Sequence, residues 1–431
     1  MATQLVIRSS RVELPQGQEA CDIVVDDGRI LDVLPYGSFR GNCPIEDFGR
    51  HVILPGLIDP HVHLNEPGRS DWEGFDTGTR AARAGGITTL VDMPLNSNPV
   101  TVDLPSLAAK RASAVQLYVD VGFHAGVVPQ AVESVGELID AGAIAAKAFL
   151  CHSGIDDFPA SGEVELRAAM SQLASRKKVL MAHAEIVHDV APMRDPTCYL
   201  DYLESRPPSF ERTAIELLIR LAEDTGCRVH IVHLADSDCL EMLVDAMARG
   251  VGVTVETCPH YLWFKAESIP DGATPFKCAP PIRHARHRER LWQGLMEGHI
   301  DMIASDHSPC PPDLKDLEQG RFDQAWGGIS SLQLGLPIVW TQARKRGATL
   351  SDVVRWMSIN PGKIFNLPAG IVVGHPAHLV VFDPDAEWIV DQAKLLHRHR
   401  ITPYHGERLS GEVIKTFVHG QSDLQPHGRR R

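Results

Sequence analysis

Short apolar runs with polar interruptions open the chain. QLVIRSSRVEL (4–14), ACDIVVDDGRILDVLP (20–35) and HVILPG (51–56) are rich in Val and Ile and broken by Gly, Pro and Asp. That pattern predicts strands joined by turns, with no long helix. From Leu57 the pattern changes, and apolar runs alternate with stretches of helical spacing. The runs are GLIDPHVHL (56–64), ITTLVDMP (87–94), QLYVDVGFHAG (116–126), AIAAKAFL (143–150), VLMAHAE (179–185), RVHIVHLAD (228–236), VGVTVETCPHYL (251–262) and HIDMIASDHS (299–308). The helical stretches that follow them are 71–85, 104–114, 130–142, 162–177, 211–226, 237–250, 286–298 and 330–347, several closed by Gly or a basic residue as helix ends prefer. After Phe365 strand character returns in GIVVGHPAHLVVFDP, EWIVD and EVIKTFVHG.

Eight near-continuous apolar strands separated by helices predict an α/β fold, a closed parallel (β/α)8 barrel of the TIM type, rather than an open doubly wound sheet. The two strand-rich ends predict one small β-rich domain beside it. The expected organisation is therefore 1–55 and 366–431 for the β-rich domain and 56–365 for the barrel. No internal repeat beyond the βα unit and no low-complexity linker interrupts this.

With 431 residues, 44% of them hydrophobic, the chain is long enough for a sizeable core. Its formal net charge is -13, from 42 basic and 55 acidic side chains. An acidic surface repels phosphate backbones and anionic lipid, which argues against nucleic acid and membranes as partners. The basic tail HGRRR is too short to reverse this. No apolar run reaches the roughly 18 residues of a transmembrane helix. The N-terminus carries charges where a signal peptide needs its apolar stretch, so a cytoplasmic location is expected. Nine cysteines, an odd number without close pairs, point to reduced thiols. Cys151, Cys258, Cys278 and Cys310 read as small apolar residues beside a site.

Barrel enzymes work at the C-terminal ends of their strands. Strand one ends in His61-Val62-His63, strand four carries Lys147, strand five His183, strand six His233 and strand eight Asp306. Residues i and i+2 share a face, so His61 and His63 project together. Each residue alone has an ordinary explanation: a lone HxH is a weak signal, a lysine flanked by apolar residues commonly snorkels, and His183 fits a core histidine. His230 differs in parity from His233, so one of the two is structural. Five strands each ending in a candidate ligand outweigh these separate explanations. Imidazole and carboxylate suit zinc and similar divalent ions. A buried lysine amine is a poor ligand, but burial keeps it neutral and nucleophilic. Reaction with carbon dioxide would make it a carbamate, a carboxylate-like bridge between two cations. Two such cations would lower the pKa of a water and polarise a carbonyl.

GLIDPHVHLNEPG, KAFL, HAE, VHL and SDHSP resemble the cyclic amidohydrolases, which comprise dihydroorotases, hydantoinases or dihydropyrimidinases, and allantoinases. The resemblance covers nearly the whole chain. It implies two metals per subunit, usually zinc with cobalt or manganese as alternatives. His61, His63 and Asp306 would hold one, His183 and His233 the other, with Lys147 carboxylated and bridging. Dihydroorotases are expected to carry Arg two residues after HxH to grip a carboxylate; here that position is Asn65, and an amide cannot replace a guanidinium fork. Hydantoinases typically have Tyr five residues after the bridging lysine; here it is His152. NEPGR, SRPPSFE, VETCPHYL, FKCAPPIR, SDHSPCPPDLK and AWGGISSLQ resemble the allantoinases, SDHSPCPP and AWGGIS most specifically.

That resemblance implies hydrolysis of the cyclic amide of allantoin to allantoate, with Asp306 as the catalytic proton carrier. Backbone around Ala279 and Gly327 is expected to hold the ring, with Asn96 and Ser153 as further substrate contacts. Cys151 is expected to line the pocket and not to act as a nucleophile. The alternatives are a hydantoinase-type enzyme, or a metal-free scaffold relative, which would lack several of the six ligands present here. A homo-oligomer, a tetramer first, also follows from the resemblance. GHPAHLVVFD departs from the family by placing Pro376 and His378 where relatives usually carry acidic residues, an effect expected to be confined to local packing.

Overall fold

In the computed structural model, which describes residues 4–190, 192–423 and 425–431, the Val- and Ile-rich first segment forms five strands. They are β1 (Leu5–Leu14), β2 (Gly17–Asp26), β3 (Arg29–Pro35), β4 (Ile45–Asp47) and β5 (Val52–Pro55). β1, β2 and β3 form an antiparallel meander, while β4 and β5 pair parallel with β1.

The alternating middle of the chain closes into a parallel barrel. Its strands are β6 (Leu57–Val62), β7 (Ile87–Asp92), β8 (Asp120–Phe123), β9 (Ala125–Gly126), β10 (Ala146–Phe149), β11 (Val179–His183), β12 (Arg228–Ile231), β13 (Val253–Thr257) and β14 (Met302–Ile303). β8 and β9 are two halves of one stave, parted at His124, whose N–H turns to the Asp92 carbonyl at 3.0 Å. Every neighbouring pair is parallel. The seam between β14 and β6 is narrow: a bridge joins Val62 to His307, and the His63 N–H donates to the His307 carbonyl at 2.8 Å. Nearly every strand residue is buried, because helices cover the outside and side chains fill the inside.

The covering helices are α1 (Phe75–Ala84), α2 (Leu104–Ser113), α3 (Val135–Asp140), α4 (Glu163–Ser175), α5 (Tyr199–Glu204), α6 (Pro208–Thr225), α7 (Leu240–Ala248), α8 (Pro259–Trp263), α9 (Ala285–Glu297), α10 (Gly335–Lys345), α11 (Leu350–Val354) and α12 (Asn360–Phe365). The helix expected over 130–142 is shorter, since a 3-10 turn at Pro129–Ser134 precedes α3. The stretch from α11 to α12 was not foreseen as helical. A π turn at Arg355–Ile359 interrupts it and breaks the 3.6-residue stripe by which a helix is recognised. The Ser358 hydroxyl donates to the Gly56 carbonyl (2.8 Å) and the Asn360 amide to the Asp301 carbonyl (2.6 Å), anchoring this stretch to the barrel.

The last strands, β15 (Leu379–Ile389) and β16 (Arg408–Phe417), return to the first. They complete a sheet of order β16-β15-β5-β1-β2-β3, with β4 beside β1. The fold is thus a (β/α)8 barrel with a small β-rich domain drawn from both ends of the chain. Ile7, Ile23, Ile53, Leu379, Val381 and Phe417 form a second core there. Two segments tie this part to the barrel. The Arg398 Nε donates to the Glu73 carbonyl at 2.6 Å and His399 Nε2 to the Asp71 carbonyl at 2.7 Å. The final residues run along β8, where the buried Asp120 accepts from Arg431 at 2.6 Å and His419 at 2.8 Å. His378 stands 3.5 Å from the same carboxylate. An acidic residue at 378 would face Asp120 in a buried space, so a histidine suits this position.

All nine cysteines are free. Among the described residues no helix is long and apolar enough to cross a membrane.

A fully buried ion pair fixes α2 on β7. Lys110 Nζ lies 2.5 Å from Asp92 and 2.6 Å from the Met93 carbonyl, and Asp92 also accepts from the Leu64 N–H at 2.8 Å. Lys110→Met strands the Asp92 charge and is expected to cost about 3–5 kcal/mol. Urea unfolding reads this as a lowered midpoint; an unchanged midpoint would show that the pair does not hold α2.

Candidate metal centre

Five strands deliver their polar residues to one mouth. His61 and His63 leave the end of β6 on one face. His61 Nε2 lies 3.2 Å from the Asp306 carboxylate and His63 Nε2 3.5 Å from the same oxygen. His233 stands beside both neighbours, its ring centroid 5.5 Å from that of His61 and 4.6 Å from that of His183. Donor atoms of His61, His233 and Asp306 lie within 4.8 Å of one another. Lys147, between buried Ala146 and Ala148 on β10, holds its Nζ 5.0 Å from the Phe149 ring centroid. All six residues line one cavity of about 520 Å³. His233 and Asp306 have φ of 41° and 45°, a left-handed conformation that non-glycine residues avoid. Such backbone strain, on the order of 1–3 kcal/mol per residue, clusters at functional sites.

A shell of carboxylates orients these side chains. His61 Nδ1 donates to Glu256 at 2.5 Å, which turns Nε2 towards Asp306. His183 Nε2 donates to Glu185 at 2.7 Å, which leaves Nδ1 for the cavity. Arg206 in turn holds Glu185 at 2.5 Å. Asp59 accepts from the Ser305 N–H at 3.2 Å and the His61 N–H at 3.1 Å; burial pushes its carboxyl up to about 6. The pattern, imidazoles fixed by carboxylates on their outer nitrogens, is that of metal-ligating histidines. His230 is satisfied on both nitrogens, by Thr254 at 2.8 Å and Glu256 at 3.1 Å, and lies outside the cavity.

The electrostatics suit cations. His233 Nδ1 is buried without a hydrogen-bond partner. Burial holds this imidazole well below its ordinary pKa and pushes the Lys147 amine down to about 8. Burial also opposes ionisation of Asp306, but His61, His63 and His233 outweigh it and hold the carboxyl well below the usual range. Burial lowers the His63 imidazole as well, whereas at His183 burial is outweighed by Cys151 and Glu185, which raise it to about 9. Imidazoles, an ionised carboxylate and an amine with no carboxylate within 4 Å among the described residues form a donor set that fits divalent ions.

The remaining sequence candidates fall unevenly. Asn96, Ser153, Ala279 and Gly327 all line the cavity. The Ser153 hydroxyl is already spent on the Phe158 carbonyl at 2.6 Å, and the Asn96 amide reaches His63 Nδ1 at 3.4 Å. Ala279 and Gly327 offer backbone only. His152 stands exposed at the rim, and Cys151 is buried beside His183 and Glu185. Asn65 is fully buried, outside the cavity, with neither amide atom bonded. Glu185, Glu256 and Arg206 were not singled out from the sequence. Glu185 carried a usable signal, since it shares the strand parity of His183.

Residues 52–422 match the amidohydrolase family. The chain is 47% identical to an allantoinase of Streptomyces avermitilis over 99% of its own length and 98% of that protein's. It is 47% identical to an allantoinase of Arabidopsis thaliana, covering 96% and 87%, and 42% identical to an allantoinase of Saccharomyces cerevisiae, covering 92% and 89%. Among solved structures it superposes on the L-hydantoinase (dihydropyrimidinase) of Arthrobacter aurescens with a TM-score of 0.94, 27% identity and 99% coverage of both chains.

Glu256→Gln removes the charge that fixes the His61 tautomer. Metal affinity is expected to fall roughly 10–100-fold, measured by competition with a chelator. Unchanged affinity would make Glu256 a purely structural acid.

Proposed function

Because the chain belongs to the amidohydrolase family, we propose that it is an allantoinase, opening the cyclic amide of allantoin, a hydantoin ring bearing a ureido group, to give allantoate. The observation that carries this reading is the full-length likeness to allantoinases joined to six candidate ligands around one cavity. The hydantoinase-type alternative has the weaker support of a 27% identical structure, and His152 stands where hydantoinases typically have Tyr. A metal-free scaffold is disfavoured by the complete ligand set.

His61, His63 and Asp306 would hold one divalent cation and His183 and His233 a second, with Lys147, carboxylated on Nζ, between them. Zinc is the first choice for both, with cobalt or manganese as alternatives. Bound there, the pair would lower the pKa of a water and polarise the ring carbonyl. Lys147 suits carboxylation because burial favours its neutral amine. Asp306 stays ionised, so its carboxylate can take the proton from the attacking water. The new C–O bond forms as the water loses that proton and adds to the ring carbonyl, and Asp306 then returns the proton to the ring nitrogen as the C–N bond breaks. Leu95, Phe149 and Trp326 wall the cavity and limit bulk water. Backbone at Ala279 and Gly327 orients the ring, where side-chain-free surfaces leave room for it. Asn96 acts chiefly by steadying His63, and Ser153 through its main chain. The free thiols support a reducing, cytoplasmic compartment. A homotetramer is the assembly this reading favours.

Rates on allantoin, hydantoin, dihydrouracil and dihydroorotate test the substrate. Allantoin is expected to lead in kcat/KM by roughly tenfold or more, since a site built around polar groups discriminates strongly. A preference for another ring would replace the reading. Lys147→Ala is expected to lose at least one cation per chain and nearly all activity, with partial recovery on adding a small carboxylic acid. Full cation content without that addition would show that Lys147 is no bridge.

A further inference from the structure

Lys315 is buried, yet among the described residues no carboxylate lies within 4 Å of its ammonium. A cation in such a place is stable only if other acceptors replace water. Three carbonyls do so: Gly328 at 2.5 Å, Trp326 at 2.9 Å and Lys277 at 3.5 Å. An ammonium has three donors, and here all three are spent on main chain.

These carbonyls belong to the two loops that line the cavity at Cys278-Ala279 and at Trp326-Gly328. The loops touch each other directly. The Gly328 N–H donates to the Lys277 carbonyl at 2.8 Å, and the Trp326 N–H to the Leu314 carbonyl, next to Lys315, at 2.7 Å. Gly328 has φ of 149°, and a Cβ there would come within 2.3 Å of the Ser308 carbonyl oxygen, so this approach tolerates only glycine. Lys315 therefore joins three stretches that resemble allantoinases: FKCAPPIR, SDHSPCPPDLK and AWGGISSLQ.

A trans peptide is planar, so its C=O and the following N–H point in opposite directions. Drawing the Lys277 and Trp326 carbonyls towards Lys315 turns the N–H groups of Cys278 and Gly327 away from it. Among the described residues neither of these N–H groups has a hydrogen-bond acceptor in the protein. We propose that Lys315 is a positioning residue whose ammonium, by gripping the carbonyls of Lys277, Trp326 and Gly328, presents the N–H groups of Cys278 and Gly327 as a preorganised donor pair for a carbonyl of the substrate ring. The inference rests on the ring-opening function proposed above. It adds the group that holds the ring-binding backbone in place. The charge on Lys315 also polarises both peptides and strengthens their outward donors. Donors fixed before the reaction begins need no reorganisation during it.

Lys315→Met and Lys315→Gln, each loaded with metal, test the clamp. Both are expected to keep the cation content of the unsubstituted enzyme. Lys315→Met is expected to raise KM for allantoin about tenfold or more with a smaller fall in kcat, the signature of lost binding. Lys315→Gln, a shorter neutral donor, should fall between. A KM unchanged in both variants, or a kcat lost only in step with cations, overturns the proposal. Failure of both to fold assigns Lys315 to the core alone and overturns it too. If the unsubstituted enzyme prefers another cyclic amide, that amide takes the place of allantoin in the same comparison. The substrate reading and the clamp thus fail separately.

Discussion

One buried carboxylate governs how the mouth of the barrel is arranged. Glu256 on β13 accepts from His61 Nδ1 on β6, from His230 Nε2 on β12 and from the His233 N–H just beyond β12. An unpaired charge in that interior would cost several kcal/mol. Burial opposes its ionisation, but His61 and His230 outweigh burial and keep the carboxyl down at about 2. Since β14 lies between β13 and β6, the Glu256–His61 bond spans the barrel rather than joining neighbours. It turns the Nε2 of His61 towards Asp306. The same logic recurs with Glu185 and His183. In both pairs an outer carboxylate fixes which imidazole nitrogen faces inward.

Much of this was legible in the primary structure because a parallel barrel writes a simple code. Its strands are buried on both sides, so each reads as an apolar run, and a polar residue at the end of such a run is conspicuous. His61, His63, Lys147, His183, His233 and Asp306 were visible for that reason, and the structure brings all six to one cavity. What stayed hidden depends on long-range pairing. Glu256 looks like any acid near a strand end until His61 is folded against it. Lys315, which follows PPDL, carries no signal of its own in the sequence, and only the approach of two distant loops makes it a buried cation. The helices between 350 and 365 escaped because a π turn shifts their apolar period.

The β-rich part is more than an appendage. Arg398 and His399 reach from it to Glu73 and Asp71, in the loop that follows the two histidines of β6. Glu73 also faces His307, next to Asp306 in the chain. The small domain therefore braces the first βα loop and, through Glu73, the neighbourhood of the last strand. At the opposite end of β8, the chain's final residues gather on Asp120 with His378 and His419. Both contacts join the two parts of the chain by directional polar bonds, buried at Asp120 and at Glu73, so their relative placement is specific and not merely adhesive.

The seam between β14 and β6 has a further consequence. β14 is two residues long, and the closure rests on one bridge and on Asp59 holding Ser305, 246 positions away along the chain. Loop-closure entropy works hardest against contacts that distant. His61, His63 and Asp306 lie directly across this seam. A cation shared by them would act as a rivet, stabilising the closed chain by mass action as well as serving the reaction. Losing that cation would then loosen the closed barrel at its weakest seam at the same time as it stops the reaction.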